Sequence, residues 1–247
     1  FDEVEQSVST IDYSRGIPFE MLVDVCTKKH SSTKFERDDD RMKDQAGRNG
    51  VGMVVTAACS KYMSVISYRG DQSKTIEFID GVLKEHKPVK LKKPQHGLAV
   101  KFIPSPEYLK GDVNIECHMI QDYLRRMSYI MRDDLKINYY ERSKEMTDKE
   151  YKKGKATHIV YKRQGLGENV RFISQSLEFA PVEIMSVSDD FDLELAFSYD
   201  KTLDESIVNS YCNYINTTEG GHHETVAQRA ICDFFTREAK KLDPNAK

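Results

Sequence analysis

Hydrophobic residues recur with two different periods along the chain, and each period predicts a different kind of element. Alternation of apolar and polar residues, which is typical of strands, is found at 7–12, 63–70, 74–81, 98–105, 136–142, 191–200 and 206–217. Apolar residues spaced three or four apart, which is typical of helices, are found at 19–26, 54–63, 113–134 and 224–242. Strands outnumber helices and the two do not alternate strictly. The pattern therefore predicts an α+β layered fold rather than a doubly wound parallel sheet.

Three polar segments interrupt this pattern. The short DQS segment at 71–73 predicts a hairpin between the strands on either side. Residues 28–45 are highly charged and have no clear period, and a loop of this length inside a compact domain is usually disordered or a functional lid. Residues 144–180 are rich in lysine and weakly patterned, so we predict a domain boundary near Ala180 and Pro181.

Composition narrows the function classes only slightly. A formal net charge of -3 gives no global sign of nucleic-acid binding, so any DNA contact must be local. The basic segment KEHKPVKLKK at 84–93 is either a solvated hairpin tip or a sequence-independent contact to phosphates. The five cysteines are scattered without a CxxC motif, which argues against a disulfide framework and a zinc site. Without an apolar run of about 20 residues or a signal peptide, a cytoplasmic protein is expected.

Three glycines in QAGRNGVGM, residues 45–53, lie just before a predicted helix. Glycines allow close approach of the backbone, and the first amides of a helix direct unpaired hydrogens at an anion. The segment is not a Walker A loop, because no GK[ST] follows, and its GxxGxG spacing is not a Rossmann fingerprint. From these residues alone it is either a phosphate cradle or a packing loop.

Two further segments could likewise either bind a ligand or have only a structural role. Asp12 ends a predicted strand and precedes a turn at residues 15–18, where its carboxylate could accept the amino group of adenine or form an Asx-type turn. EGGHHETV at 219–226 enters the last predicted helix, with Glu224 in the first turn. Helix capping is sufficient to explain EGGHHETV, and its two histidines do not by themselves indicate a metal site.

In combination these segments are more specific. DYSRGIP, a charged segment, GRNGVG and GGHHETV follow one another in an order that resembles the ATPase part of type IIA DNA topoisomerases, the family of gyrase B and ParE subunits. The histidine pair is most similar to the large subunit of T4-like phage topoisomerases. LAVKFIPS and LRRMSYI resemble later segments of the family, so the resemblance covers nearly the whole chain.

The resemblance implies a GHKL ATP-binding domain over residues 1–180, a two-layer α/β sandwich whose helices cover one face of a mixed sheet. It implies the beginning of a transducer domain over 181–247. The function implied is ATP binding and hydrolysis, in which an ATP-dependent dimer drives the passage of one DNA duplex through another. ATP and Mg2+ are the implied cofactors, and DNA, a second copy of the chain and a DNA-cleaving subunit or domain are the implied partners. No membrane is involved, and the DNA-cleaving residues are not in this chain.

The resemblance also assigns residues to the nucleotide. Asp12 would hold the adenine amino group, and residues 28–45 would form the lid over ATP. The base pocket would consist of Gly16, Ile17 and Pro18. The phosphates would be wrapped by Gly47, Arg48, Asn49, Gly50, Val51 and Gly52. No residue of the chain is assigned to a metal.

Three features depart from the family pattern. Ser14 stands where the family has a glycine, and Leu98 stands where it usually has a threonine. Only eleven residues precede Asp12, whereas the catalytic glutamate of the family lies further upstream. Either FDEVE is the end of that glutamate-bearing helix, so that Glu3 is the general base, or residues 1–12 are one continuous edge strand. Two functions are therefore alternatives to an ATP-hydrolysing topoisomerase region. They are a nucleotide-binding clamp without turnover, and another GHKL ATPase of the Hsp90-like or MutL-like kind.

Overall fold

The structure is a computed structural model that describes residues 1–29, 50–108, 114–174, 176–188 and 191–243. Contacts divide it into two compact units, which separate between Gly165 and Leu166. This division falls earlier in the chain than the boundary predicted near Ala180, and the transducer assignment stays a prediction. The predicted lid lies outside the described residues from His30 onward.

A four-stranded sheet in the order β1-β4-β2-β3 organises the first unit. Its strands are β1 Val8–Asp12, β2 Ser60–Ile79, β3 Val82–Glu85 and β4 Val89–Pro104. Every neighbouring pair in this sheet is antiparallel. Among the described residues, the parallel character expected of a mixed sheet is confined to an isolated bridge between Asp2 and Arg142.

One long strand stands where the sequence predicted a hairpin at DQS. The register between β2 and β4 shifts between Gly70 and Gln72, and such a bulge bends a strand without ending it. Gly70 has a φ of 64°, which glycine adopts without a side-chain clash. The turn comes instead at Asp80 and Gly81, which both have positive φ as two-residue hairpin loops require. The hairpin prediction at 71–73 was therefore wrong.

The bulge also changes which residues of β2 face inward. Before it, Met63 and Val65 are fully buried, and after it Ile76 and Phe78 are buried. The inward positions thus move from odd to even numbers, because the irregularity at the bulge shifts the two-residue period of the strand. Both halves of β2 contribute to the same core for this reason.

Two short helices pack against this core. They are α1 Leu22–Thr27 and α2 Gly52–Ala58. Their buried side chains, Leu22, Cys26 and Ala57, join the inward residues of β2 in one cluster. Helices at both places were predicted from the spacing of apolar residues. The first is confirmed, and the second is confirmed only as far as Ala58, because Met63, which was counted in its apolar stripe, lies in strand β2.

The remainder of the first unit contains a second, two-stranded sheet. The elements are α3 Cys117–Ile130, β5 Lys136–Glu141, α4 Asp148–Lys152 and β6 Thr157–Lys162. Strands β5 and β6 pair antiparallel, and α3 contacts β6. Helix α4 and strand β6 lie in the lysine-rich stretch that was weakly patterned. The signal for α4 was present, because Thr147 and Glu150 form a capping box.

The second unit has two small hairpins and two helices. The elements are α5 Leu166–Ile173, β7 Val182–Val187, β8 Asp192–Phe197, β9 Tyr211–Cys212, β10 Ile215–Asn216 and α6 His222–Leu242. Helix α5 contacts the β7-β8 hairpin. The strand predicted over 206–217 is interrupted, because Asn213 and Tyr214 have positive φ and form the turn between β9 and β10. Helix α6 is confirmed.

Neither a membrane span nor a disulfide was expected from the sequence. In the described part of the chain, no helix is both long and apolar enough to cross a membrane. All five cysteines are free thiols. Burial raises the pKa of the Cys26 thiol to about 11, so this side chain packs in the core as a neutral group.

The core makes a direct prediction about stability. Replacing Ile76 by alanine removes a fully buried side chain, and we expect the free energy of unfolding to fall by about 2–5 kcal/mol. The matched control is Ile79→Ala on the same strand, where the side chain is 46% exposed and the loss should be below about 1 kcal/mol. Urea unfolding followed by circular dichroism measures both. Equal losses would contradict the inward placement of Ile76.

Candidate functional site

Asp12 lies at the end of β1, opposite Leu98 of β4. Its Oδ1 accepts hydrogen bonds from the backbone N–H of Ser14 at 2.9 Å and of Leu98 at 3.3 Å. The first of these bonds closes the Asx-type turn that the sequence suggested. Oδ2 accepts no hydrogen bond from the described residues, and the side chain is exposed. The Leu98 bond comes from the backbone, so the absence of a threonine hydroxyl does not affect it.

Two glycines allow the turn after Asp12 to lie against the sheet. Gly16 has a φ of 69°, and a Cβ there would lie 2.5 Å from the carbonyl oxygen of Tyr68. Gly97 has a φ of 136°, and a Cβ there would lie 2.0 Å from the carbonyl oxygen of Asp12. Both positions therefore need glycine for space as well as for conformation. Gly16 was assigned to this site from the sequence, whereas Gly97 was missed.

Ser67 of β2 holds the next residue of the turn by two hydrogen bonds. Its Oγ accepts from the N–H of Ile17 at 2.9 Å and donates to the carbonyl oxygen of Ile17 at 2.6 Å. The Ser67 side chain is fully buried, so both backbone groups of Ile17 are satisfied away from water. The sequence held a signal for this residue, because Ser67 follows Met63 and Val65 on the inward phase of the strand. A polar residue at a position where the alternation places apolar side chains was not recognised as a functional signal.

The loop before α2 is described from Gly50 onward. Gly50 has a φ of 57°, and Val51, at the N-cap of α2, makes no side-chain capping bond. A Cβ built on Gly52 would meet nothing within 4 Å, so the space beside the first turn of the helix is open. Helix α1, which follows the Asp12 turn, packs against α2. Gly47, Arg48 and Asn49 lie outside the described residues, and their contact with phosphate stays a prediction.

The carboxylate of Glu3 lies at the amino end of α3. Oε1 accepts a hydrogen bond from the N–H of Cys117 at 3.4 Å, and Oε2 accepts one from the N–H of Lys144 at 2.8 Å. A negative charge is favoured at a helix amino terminus. Burial, together with the charges of Glu141 and Glu3, raises the pKa of the Cys117 thiol to about 12, so it stays neutral. The role of Glu3 as general base stays a prediction.

The segment around Glu3 is not an extension of β1. Asp2 and Ser7 exchange two backbone hydrogen bonds of 2.9 and 3.0 Å across a turn, and Gln6 has a φ of 56°. Strand β1 begins only at Val8. Residues 1–12 therefore form a turn followed by a strand rather than one continuous strand.

The glycine and histidine segment of the second unit caps α6. The N–H of Glu224 donates to the carbonyl oxygen of Gly221, and Glu224 Oε2 accepts a hydrogen bond from Ser210 Oγ at 3.0 Å. This carboxylate thus ties the first turn of α6 to the segment before β9. In the described ranges, no group of three or more histidine, cysteine or acidic side chains is placed to hold a metal ion.

Known proteins are similar to this chain over nearly its whole length. The family model described as DNA gyrase B matches residues 138–246. The DNA gyrase B subunit of Spiroplasma citri is 27% identical over 92% of this chain, and the DNA topoisomerase 4 B subunit of Mycoplasma pneumoniae is 27% identical over 97%. The chain spans 36% and 38% of the length of these two relatives.

Two solved structures share the fold. The 43K ATPase domain of Thermus thermophilus gyrase B, in complex with an aminocoumarin, superposes with a TM-score of 0.66 at 22% identity, covering 99% of this chain and 62% of its own. The ATP-binding domain of Francisella tularensis topoisomerase IV, in complex with a small-molecule inhibitor, has a TM-score of 0.62 at 21% identity, covering 98% and 62%. The α+β fold predicted for a GHKL ATPase domain is therefore confirmed.

These matches agree with the order of segments that suggested the family, and they extend over nearly the whole chain. The finer similarity to T4-like phage large subunits stays a prediction. The chain is similar over nearly its whole length to the B subunits of gyrase and topoisomerase IV, and residues 138–246 match the DNA gyrase B family model.

Proposed function

We propose that this chain binds ATP with the adenine base against the turn that follows Asp12. The observation that carries the proposal is the unequal use of the Asp12 carboxylate. Oδ1 is held by two backbone amides, whereas Oδ2 has no partner among the described residues. A fixed carboxylate with one open oxygen is suited to accept a hydrogen bond from an amino group such as that of adenine.

The turn would supply the wall of the base pocket. Ser67 fixes both backbone groups of Ile17, and Ile17 also packs on the core cluster. Its position is therefore set before any ligand arrives, which lowers the entropy cost of binding. Gly16 and Pro18 flank it, as the resemblance implied.

The phosphates would bind at the loop before α2. Gly50, Val51 and Gly52 fit this role, because the space beside Gly52 is open and the first turn of α2 has no side-chain cap. Gly47, Arg48 and Asn49 would complete the loop. Mg2+ would bind together with the triphosphate and offset its charge.

The similarity to gyrase and topoisomerase IV B subunits supports a larger role. We propose that ATP binding closes a dimer of two copies around DNA, and that hydrolysis reopens it while one duplex passes through another. The DNA-cleaving subunit or domain would be a separate partner. The chain carries the nucleotide step of this cycle.

The adenine assignment predicts a loss of affinity in Asp12→Ala. Removing a hydrogen bond to a charged group should weaken binding of a non-hydrolysable ATP analogue about 10- to 100-fold. Isothermal titration calorimetry measures this. Asp12→Asn keeps an acceptor oxygen and isolates the charge, and Ser14→Ala is the matched control because Ser14 contributes its backbone N–H. Wild-type protein that fails to bind the analogue at millimolar concentration would overturn the ATP site.

Ser67→Ala should affect both stability and affinity. The substitution leaves the N–H and carbonyl oxygen of Ile17 without partners, and we expect the free energy of unfolding to fall by about 1–3 kcal/mol. Affinity for the ATP analogue should fall as well, because the pocket wall is released. Ser64→Ala, on the opposite face of the same strand, should leave the affinity unchanged. Unchanged affinity in folded Ser67→Ala protein would show that Ile17 does not contact the base.

A second candidate function, a nucleotide-binding clamp without turnover, is favoured by the Glu3 contacts, because backbone amides occupy both of its carboxylate oxygens. If Glu3 is instead the general base, Glu3→Gln should lower the rate of phosphate release about 100-fold or more and leave analogue binding intact. Glu5→Gln is the control, since Glu5 is bonded to Ser7 and Lys101. Binding without phosphate release in the wild type would favour the clamp.

A further inference from the structure

The basic segment KEHKPVKLKK keeps most of its positive charge unpaired in the folded chain. It begins in β3, passes through residues 86–88 and continues into β4. Lys84 lies 3.8 Å from a carboxylate oxygen of Glu77. The other four lysines of the segment are exposed and form no ion pair with any described residue: Lys87, Lys90, Lys92 and Lys93. Such a surface is suited to a ligand that carries several negative charges.

The register between β2 and β4 gathers these charges at one end of the sheet. Arg69 is paired with His96, and three residues further along β2, Gln72 is paired with Lys90. Residues 91–95 of β4 therefore correspond to only two residues of β2, and the extra length forms a bulge. The exposed basic side chains of this region form a surface that we name the basic patch: Arg69, Lys90, Lys92, Lys93 and His96.

Little negative charge faces the basic patch. Asp71 is the one acidic residue in the two segments that form it, 69–72 and 90–96. The acidic residues that follow on β2 and β3 are already engaged. Glu77 Oε2 lies 2.6 Å from the Nε2 of His86, and Glu85 forms an ion pair with Lys74 at 2.9 Å. The positive charge of the patch is therefore not offset within the sheet.

Contacts with β2 hold the backbone of the basic segment in place. The N–H of His86 donates to the carbonyl oxygen of Thr75 at 3.0 Å, and the His86 ring contacts Glu77. Residues 89–90 then pair with residues 72–73 of β2. The basic side chains thus extend from a backbone that is fixed before a ligand arrives, which lowers the entropy cost of binding.

The composition of this region distinguishes between classes of polyanion. Proteins that bind single-stranded nucleic acid usually stack its bases on exposed aromatic rings. Phe78 is the only phenylalanine, tyrosine or tryptophan between residues 69 and 96, and it is buried in the core. A duplex presents its phosphates without any stacking contact, at about one charge per 1.7 Å of its axis. An extended acidic peptide presents at most one charge per about 3.3 Å. Duplex DNA is therefore the partner that fits best.

We propose that the basic patch binds the phosphate backbone of duplex DNA without regard to base sequence. Lys90, Lys92 and Lys93 contact phosphates as point charges, and Arg69 extends the contact on the neighbouring strand. The inference deepens the proposed function, on which the choice of DNA among polyanions partly rests, by naming a surface for the duplex. The patch shares no residue with the assigned ATP site.

Fluorescence anisotropy with a labelled duplex of about 20 base pairs tests the proposal on the full 247-residue chain, at about 50 mM salt. Replacing Lys90, Lys92 and Lys93 together by alanine should weaken binding at least about 10-fold. The slope of log affinity against log salt should become shallower by about 0.9 for each phosphate that the variant no longer neutralises. Replacing the same three lysines by arginine keeps the charge and should preserve binding.

A second triple variant controls for the change in net charge. It replaces by alanine three exposed lysines in and just after α4 that form no ion pair with any described residue: Lys149, Lys152 and Lys153. This variant loses the same charge at a different place and should bind the duplex as the wild type does. Two duplexes of unrelated sequence should bind equally, because phosphate contacts carry no sequence information.

Several results would overturn the proposal. They are no duplex binding at about 50 mM salt, equal losses in the two alanine variants, or competition by single-stranded DNA or polyglutamate that equals competition by duplex. Binding of the ATP analogue is measured in parallel. If the patch variant loses analogue binding as well, its lysines serve the nucleotide site and the proposal fails. If the wild type binds duplex through the patch but no analogue, the ATP proposal fails and the DNA contact stands.

Discussion

The pairing of β4 between β1 and β2 is the interaction on which the rest of the first unit depends. In this register Leu98 lies opposite Asp12 on one side and opposite Ser67 on the other. The aspartate, the backbone amide that orients it and the serine that holds the turn therefore form one row across three strands. The same pairing directs the inward residues of β2 toward α1 and α2, so the core and the candidate site share a single register.

This row of contacts changes the interpretation of Leu98 and Ser14, two departures from the family pattern. Leu98 replaces a hydroxyl-bearing residue, yet it orients Asp12 through its N–H, which every residue except proline provides. Ser14 likewise contributes its backbone N–H, and its side chain stands in an exposed turn. Substitutions that look severe in sequence are thus mild where the backbone makes the contact.

Period and spacing were sufficient to predict the core elements. The alternation that ends at Asp12 and the helical spacing of α3 and α6 are confirmed, because long amphipathic patterns follow directly from burial of one face. Gly16 was predicted as a site residue because it lies in the turn that follows Asp12. Ser67 and Gly97 were missed, because their roles depend on atoms distant in sequence: Ser67 on the backbone of Ile17, and Gly97 on the carbonyl oxygen of Asp12. The hairpin at residues 71–73 was mispredicted because a bulge and a turn both break the alternation in the same way.

The bulge at Gly70 sets a rule for how this strand can change length. Met63 and Val65 face inward on one side of it, and Ile76 and Phe78 face inward on the other. An insertion or deletion of one residue between these pairs would turn one pair outward unless the bulge were lost or doubled at the same time. Homologous chains should therefore vary in length here by even numbers, or by odd numbers together with a change in the bulge. The bulge at Gly70 thus determines which side chains of β2 face inward. Length variation at this point is therefore coupled to the packing of both helices.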